Sequence, residues 1–223
     1  MSGNEFVLYD LIVLLSGIAV SLKVFLLSSI YGAGLGLGLA ICRYYRIPVF
    51  SQISVFISEF LKNSPVLVQL FLIYFGLPIF LSMDMSAELA AIITLTGNTA
   101  AFVSVIVITG MSAIDRGQLD AARSFGITEF TILKKIIAPQ ALLIAIAPLV
   151  GLAVNQLQVT SLISVIGVID ITKVGAILNQ RTWQPFIVWP IIGLIYFSLS
   201  MAISKLGSKL EQRLKQHQTW SSI

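Results

Sequence analysis

Seven ionisable side chains gather in a single polar stretch: Asp115, Arg116, Asp120, Arg123, Glu129, Lys134 and Lys135 lie between apolar runs, each long enough to cross a bilayer. Mixed charge on a segment set between membrane crossings reads as a docking surface rather than a place where bonds are made. The only histidine, His217, lies in a polar tail, so no metal-ligand cluster is present, and no phosphate-cradling or dinucleotide-binding pattern occurs. Cys42 is the sole cysteine, which excludes an intrachain disulfide; beside Arg43 at a predicted membrane edge it suits packing better than redox work.

The polar stretch has the grammar of a small folded element. Asp120, Ala121, Ala122 and Arg123 place two helix formers between charges spaced by three, so Asp120 and Arg123 share a helical face. Phe125 offers an apolar knob, and Gly126 permits a left-handed turn or a close backbone approach. Thr128 suits the N-cap of a second helix, with Glu129 in its first turn and Lys134 and Lys135 towards its end, as the helix dipole favours. Two short helices joined at a glycine are predicted.

Other polar residues fall inside the apolar runs. Glu59 and Lys62, three apart, are expected to form an intramembrane charge pair, because an unpaired charge in lipid is costly. Pro65 kinks or breaks the helix near Lys62 and frees backbone groups that must face protein or a watery cavity. Asn98 and Ser104 lie in the third run, and Asn98 needs partners from a neighbouring helix or from a solute. In the fourth run Asn155 and Gln158 share a face that Ser161 continues, and with Gln156 and Thr160 they form a neutral stripe suited to a bundle interior or a solute path. Asn98, Ser104, Asn155, Gln158, Thr160 and Ser161 are the candidate substrate-path residues.

The elements that must hold these groups are helices in lipid. With 57% hydrophobic and only 11% charged residues, the 223-residue chain lies outside the range of soluble domains, in which about 25% of residues are charged. Apolar runs place five spans at roughly 20–42, 52–80, 89–114, 138–169 and 185–205, with a cytoplasmic loop at 115–137, in one transmembrane domain covering 1–223. Outer loops are expected at 82–88 and 170–184. Lys23 sits near the outer end of the first span, where its ammonium can snorkel to the headgroups. Gly32, Gly34, Gly36 and Gly38 contain two overlapping pairs spaced by four, which let another helix approach closely.

Sidedness follows from the bases. The three inner segments hold Arg43, Arg46, Arg116, Arg123, Lys134, Lys135, Lys205, Lys209, Arg213 and Lys215, against Lys173 and Arg181 outside, so the N-terminus is expected outside. The first residues agree, carrying Glu5 and Asp10 in place of the basic leader of a signal peptide. The basic, amphipathic tail after Lys205 suits a cytoplasmic membrane-surface helix. A net charge of +4 distributed in this way marks membrane orientation and not nucleic-acid affinity.

Asp120-Ala-Ala, Gly126 and Pro139 resemble the EAA loop, the mark of permease subunits of ABC importers. With the run from Asn63-Ser-Pro to Gly76, then Gly117-Gln118, Pro139-Gln140, Asn155 and Thr160-Ser161-Leu162, the chain resembles the polar amino acid permeases of the histidine and glutamine type over roughly residues 11–206. The resemblance implies an all-α type I importer fold in the bacterial cytoplasmic (inner) membrane. It makes Asp120, Ala121, Ala122, Arg123, Phe125 and Gly126 the coupling helix that sits in a cleft of a cytoplasmic ABC ATPase. ATP and Mg would belong to that partner, with no cofactor on this chain, and an extracytoplasmic solute-binding protein would deliver the solute. A second permease subunit would complete the pore, either a second copy of this chain or, in preference, a related chain.

This chain departs from the pattern at several charges. Aspartate replaces the usual glutamate at Asp120; Val105 and Ile108 stand where the family carries a glutamate and an arginine, and Gln158 and Val159 where it carries a lysine and an aspartate. Those apolar and neutral residues imply a less charged substrate or a sister subunit that makes the charged contacts. An ion-gradient-driven transporter or channel, with Glu59 as its coupling acid, is the rival reading; a purely structural subunit is a third.

Overall fold

The computed structural model describes the backbone of residues 8–221 and the side chains of residues 10–216. Glu5 and His217 lie outside the described side chains. The chain is all-helical, as its apolar runs require, because in hydrocarbon only a helix satisfies every backbone group within its own segment.

Helix α1 runs from Leu8 to Tyr44 without a break, about 55 Å at 1.5 Å per residue, and so extends well beyond the expected 20–42 crossing. Lys23 pairs with Glu88 on α5 (Ala87–Ser112), which holds its ammonium at the outer end. Helix α2 (Phe50–Asn63) spans only about 21 Å, too short to cross alone. The chain then bends by 108° and continues as α3 (Val66–Phe71), a π turn (Leu72–Gly76) and α4 (Leu77–Leu81). The single run expected at 52–80 is therefore a broken pair of helices, with Pro65 at the break.

Two short helices, α6 (Arg116–Ser124) and α7 (Glu129–Ile132), follow α5 at the basic end. A second π turn (Leu133–Ile137) leads into α8 (Ala138–Val159), which closes in a 3-10 segment (Thr160–Ile166). The loop expected at 170–184 is instead largely a helix, α9 (Ile171–Thr182). Asp170 caps it by accepting from the Lys173 amide at 2.8 Å, a local signal of aspartate before a polar-apolar run that the hydropathy trend obscured. Arg181 near its end pairs with buried Asp10 on α1. The final helix, α10 (Pro185–Ser221), continues through the basic tail, which is therefore no separate surface helix.

Helix α5 is the central element, packed along α1 and also touching α2 and α8. Three apolar clusters fill the bundle in turn: Leu14, Val174 and Val188 at one end, Val24, Leu70 and Leu95 in the middle, and Ile114, Leu119 and Ile132 at the other. The glycine series of α1 divides by face. A Cβ on Gly32 would meet Thr99 Cβ at 2.5 Å, and one on Gly36 would meet the Ala100 carbonyl oxygen at 2.7 Å, whereas Gly34 and Gly38 have nothing within 4 Å. Only the Gly32/Gly36 pair lets the two helices touch. Gly36→Ala is expected to destabilise the purified protein by about 1–3 kcal/mol. Gly34→Ala should be neutral, and thermal unfolding of the two variants side by side measures the contrast.

Candidate functional site

The polar element at the basic end is assembled by caps. Asp115 Oδ1 accepts from the Gln118 amide (3.2 Å) and starts α6. At its far end the Gly126 amide donates to the Arg123 carbonyl (2.9 Å) and the Ile127 amide to the Ala122 carbonyl (3.2 Å). This Schellman closure needs a left-handed residue, and Gly126 has φ 72°. Thr128 Oγ1 then accepts from the Thr131 amide (3.4 Å) and starts α7.

One arginine joins the two helices. Arg123 Nε donates to Glu129 Oε1 at 2.7 Å, and its Nη1 to Asp120 Oδ1 at 3.2 Å. The hydrogen bond to Glu129 holds the guanidinium pKa above its usual value, and the same bond holds the Glu129 carboxyl below the carboxylate range. Glu129 is the member of this site that spacing alone did not reveal, because the contact crosses the turn. Leu119 and Ala122 face inward onto Ile114 and Ile132, while Ala121 is exposed. Phe125 and Phe130 are 85% and 72% exposed. The element is fastened to the bundle where Gln140 Nε2 donates to Gln118 Oε1 at 2.9 Å.

A second polar set surrounds the break at Pro65. Proline has no amide hydrogen, so the Leu61 carbonyl one turn back loses its helical donor. Gln69 Nε2 replaces it at 2.7 Å and also donates to the Ser64 carbonyl at 3.0 Å. Asn98 Nδ2 reaches the same Leu61 oxygen at 3.5 Å from α5. Glu59 Oε1 accepts from Lys62 Nζ at 2.9 Å and its Oε2 from Asn63 Nδ2 at 3.0 Å, so its carboxylate is occupied on both oxygens.

The remaining candidates divide by burial. Ser104 is fully buried and hydrogen-bonded to Ser58 on α2 at 2.9 Å. Thr160 is fully buried and donates to the Leu157 carbonyl at 2.6 Å. Buried Gln156 donates to Ser28 Oγ (3.1 Å) and the Leu95 carbonyl (3.2 Å), tying α8 to α1 and α5. Asn155 and Gln158 are exposed on α8, with side chains unbonded among the described residues, and Ser161 is half-buried beyond them.

Membrane-spanning helices around a broken span, amides exposed on a span face, and a rigid two-helix knuckle at the basic end define a membrane transport permease. The chain belongs to the family of binding-protein-dependent transport system inner membrane components, which it matches over residues 32–216. It is 30% identical over 204 residues to the arginine transport system permease protein ArtQ of Bacillus subtilis, covering 92% of this chain and 93% of that one. It is also 30% identical over 206 residues to the L-cystine transport system permease protein TcyL of the same organism, covering 90% and 86%. Among solved structures, an amino acid ABC transporter with histidines superposes with a TM-score of 0.83 at 32% identity, covering 90% of this chain and 94% of that one. An inward-facing methionine ABC transporter, at 17% identity, shares the fold with a TM-score of 0.81 over 94% of this chain and 99% of that one.

Two outcomes follow. Because the Glu129 carboxyl is held low, the Arg123 bridge is fully present above the ordinary carboxylate pKa and is lost as pH falls through the lowered value. Glu129→Ala should therefore speed hydrogen exchange across 116–132 at neutral pH and match wild type in acid, where both lack the bridge. Gln69→Leu strands the Ser64 carbonyl and leaves the Leu61 carbonyl only the long contact from Asn98, and should cost about 1–3 kcal/mol. Asn155→Leu should cost under about 0.5 kcal/mol, and chemical denaturation in detergent separates the two.

Proposed function

We propose that this chain is the membrane half of an importer for a polar amino acid or a close analogue, driven by a separate ABC ATPase that docks on Asp120 to Gly126. The observation that carries the reading is the knuckle itself, a capped and ion-paired polar element that nonetheless holds Phe125 out from the bundle. A soluble loop gains nothing from such an anchor, whereas a partner cleft does. The names of the similar permeases, for arginine and for cystine, support the substrate class.

In this proposal ATP binding draws the ATPase pair together, the knuckle transmits that movement through α6, and the bundle rocks to expose its polar face to each side in turn. Asn155, Gln158 and Ser161 contact the solute or the sister subunit, since their side chains are the ones not taken up inside the bundle. Asn98, Ser104 and Thr160 support that face from within. A second permease subunit, more suitably a related chain than a copy, completes the pore and supplies the charges missing at Val105, Ile108, Gln158 and Val159, and an extracytoplasmic binding protein delivers the solute.

Phe125→Asp tests the assignment without burdening the core, because the ring is almost wholly exposed. Wild type purified in mild detergent should carry an ATPase, identified by mass spectrometry, and the variant should lose it and on the order of tenfold or more of the amino acid uptake. An uptake rate unchanged in Phe125→Asp, or uptake that persists in cells depleted of ATP but collapses with the ion gradient, sinks the proposal.

A further inference from the structure

A cavity of about 780 Å³ opens where the last turn of α1, the end of α5 and helix α6 meet. Arg43, Arg46, Arg116 and Arg123 border it, against the single carboxylate of Asp120. Arg123 is already committed to Glu129 and Asp120. Arg43, Arg46 and Arg116 make no ion pair among the described residues. Arg43 and Tyr45 both line this cavity, and each also has one polar atom, Nη1 and Oη, buried behind its wall without a hydrogen-bond partner among the described residues. Buried donors left unpaired are costly, and a guanidinium, having no acceptor, can be satisfied only by an electron-rich oxygen.

A second cavity of about 370 Å³ shares Arg43 and Arg46 and continues onto Ile47, Pro48, Val49 and Val55. Val49 is 63% exposed, as is the adjacent Phe50, so the cationic cleft runs directly onto an uncovered apolar ledge. Both lie at the basic end of α1, a helix long and apolar enough to cross a membrane, where headgroups are expected. A free anion would use the arginines alone. A molecule with a negative head and an apolar tail uses the arginines and the ledge together.

We propose that this cleft binds an anionic phospholipid of the cytoplasmic leaflet, its phosphate held by Arg43, Arg46 and Arg116, and an acyl chain lying along Ile47 to Val55. Basic pockets between transmembrane helices on this side of a membrane take such head groups, at a strength that grows with each arginine near the surface. Arg116 is the first residue of α6, so the lipid braces the knuckle from the membrane side. The inference rests on the membrane placement of the chain and not on the solute it carries.

The test is native mass spectrometry of the purified chain in mild detergent, titrated with phosphatidylglycerol and with phosphatidylcholine of the same acyl chains. Wild type should retain phosphatidylglycerol about tenfold more tightly. Arg43→Gln/Arg46→Gln/Arg116→Gln should lose that preference, the matching triple lysine variant should keep most of it, and Lys205→Gln/Lys209→Gln on α10 should leave it unchanged. If the triple glutamine variant does not purify, Arg46→Gln/Arg116→Gln, both at exposed positions, should still weaken phosphatidylglycerol binding several-fold. Equal retention of the two lipids by wild type, or an undiminished preference in the glutamine variants, overturns the proposal. Displacement of phosphatidylglycerol by millimolar inorganic phosphate would assign the arginines to a free anion instead. Loss of a co-purified ATPase from the glutamine variants, with both lipids bound alike, would assign them to a protein interface.

Discussion

A proline inside an apolar helical run leaves a bare carbonyl, and the polar side chains around the break answer to that fact. Pro65 removes the amide that Leu61 would have met, and within a membrane-crossing run the freed carbonyl needs another donor. Gln69 supplies the missing donor from the next turn, and Asn98 comes within 3.5 Å of the same oxygen from α5. The break is therefore tied to the central helix. Bending the chain by 108° there converts a span into two pieces, and it does so next to the most polar stretch of α5.

The central helix ties the two ends of the molecule together. On one side α1 approaches through Gly32 and Gly36, close enough that a methyl group at either position would collide with α5. On another, Ser58 of α2 and Ser104 share a hydrogen bond. At the inner end the cluster of Met111, Ile114, Leu119 and Ile132 continues the core of α5 into the knuckle. A push on α6 or α7 therefore acts on the same packed column that contacts the broken span. Packed columns shift as units and do not deform gradually, which is what the proposed alternating exposure of a polar face would use.

Charge is handled differently at the two ends. Toward the outside, Lys23 with Glu88 and Arg181 with Asp10 are paired within the chain, and they fasten α1 to α5 and α9. At the basic end, Arg123 is paired, while Arg43, Arg46 and Arg116 border a cavity and make no ion pair among the described residues. The Glu59–Lys62 pair is also satisfied within the chain, since Asn63 takes the second carboxylate oxygen and leaves little capacity for ion coupling.

Composition and spacing by themselves pointed to the class of this protein: the apolar runs demanded helices in lipid, and the Asp120 to Thr128 grammar indicated two short helices joined at Gly126, the second capped by Thr128. These are local or additive properties, readable because helix period, capping chemistry and hydropathy act over a few residues. The helix α9 within an expected loop, and the continuation of α10 through the tail, were hidden because hydropathy reports burial in lipid and says little about helices beyond it. Only the tertiary structure decided which polar residues share a site. Gln158 and Gln156 sit two apart in the same run, yet one is exposed and the other is bonded to Ser28 and Leu95. Likewise Arg43 and Arg116 are far apart along the chain and border one cavity. The pairing of distant faces depends on how helices cross, and crossing is set by shape complementarity between elements, which no single segment encodes.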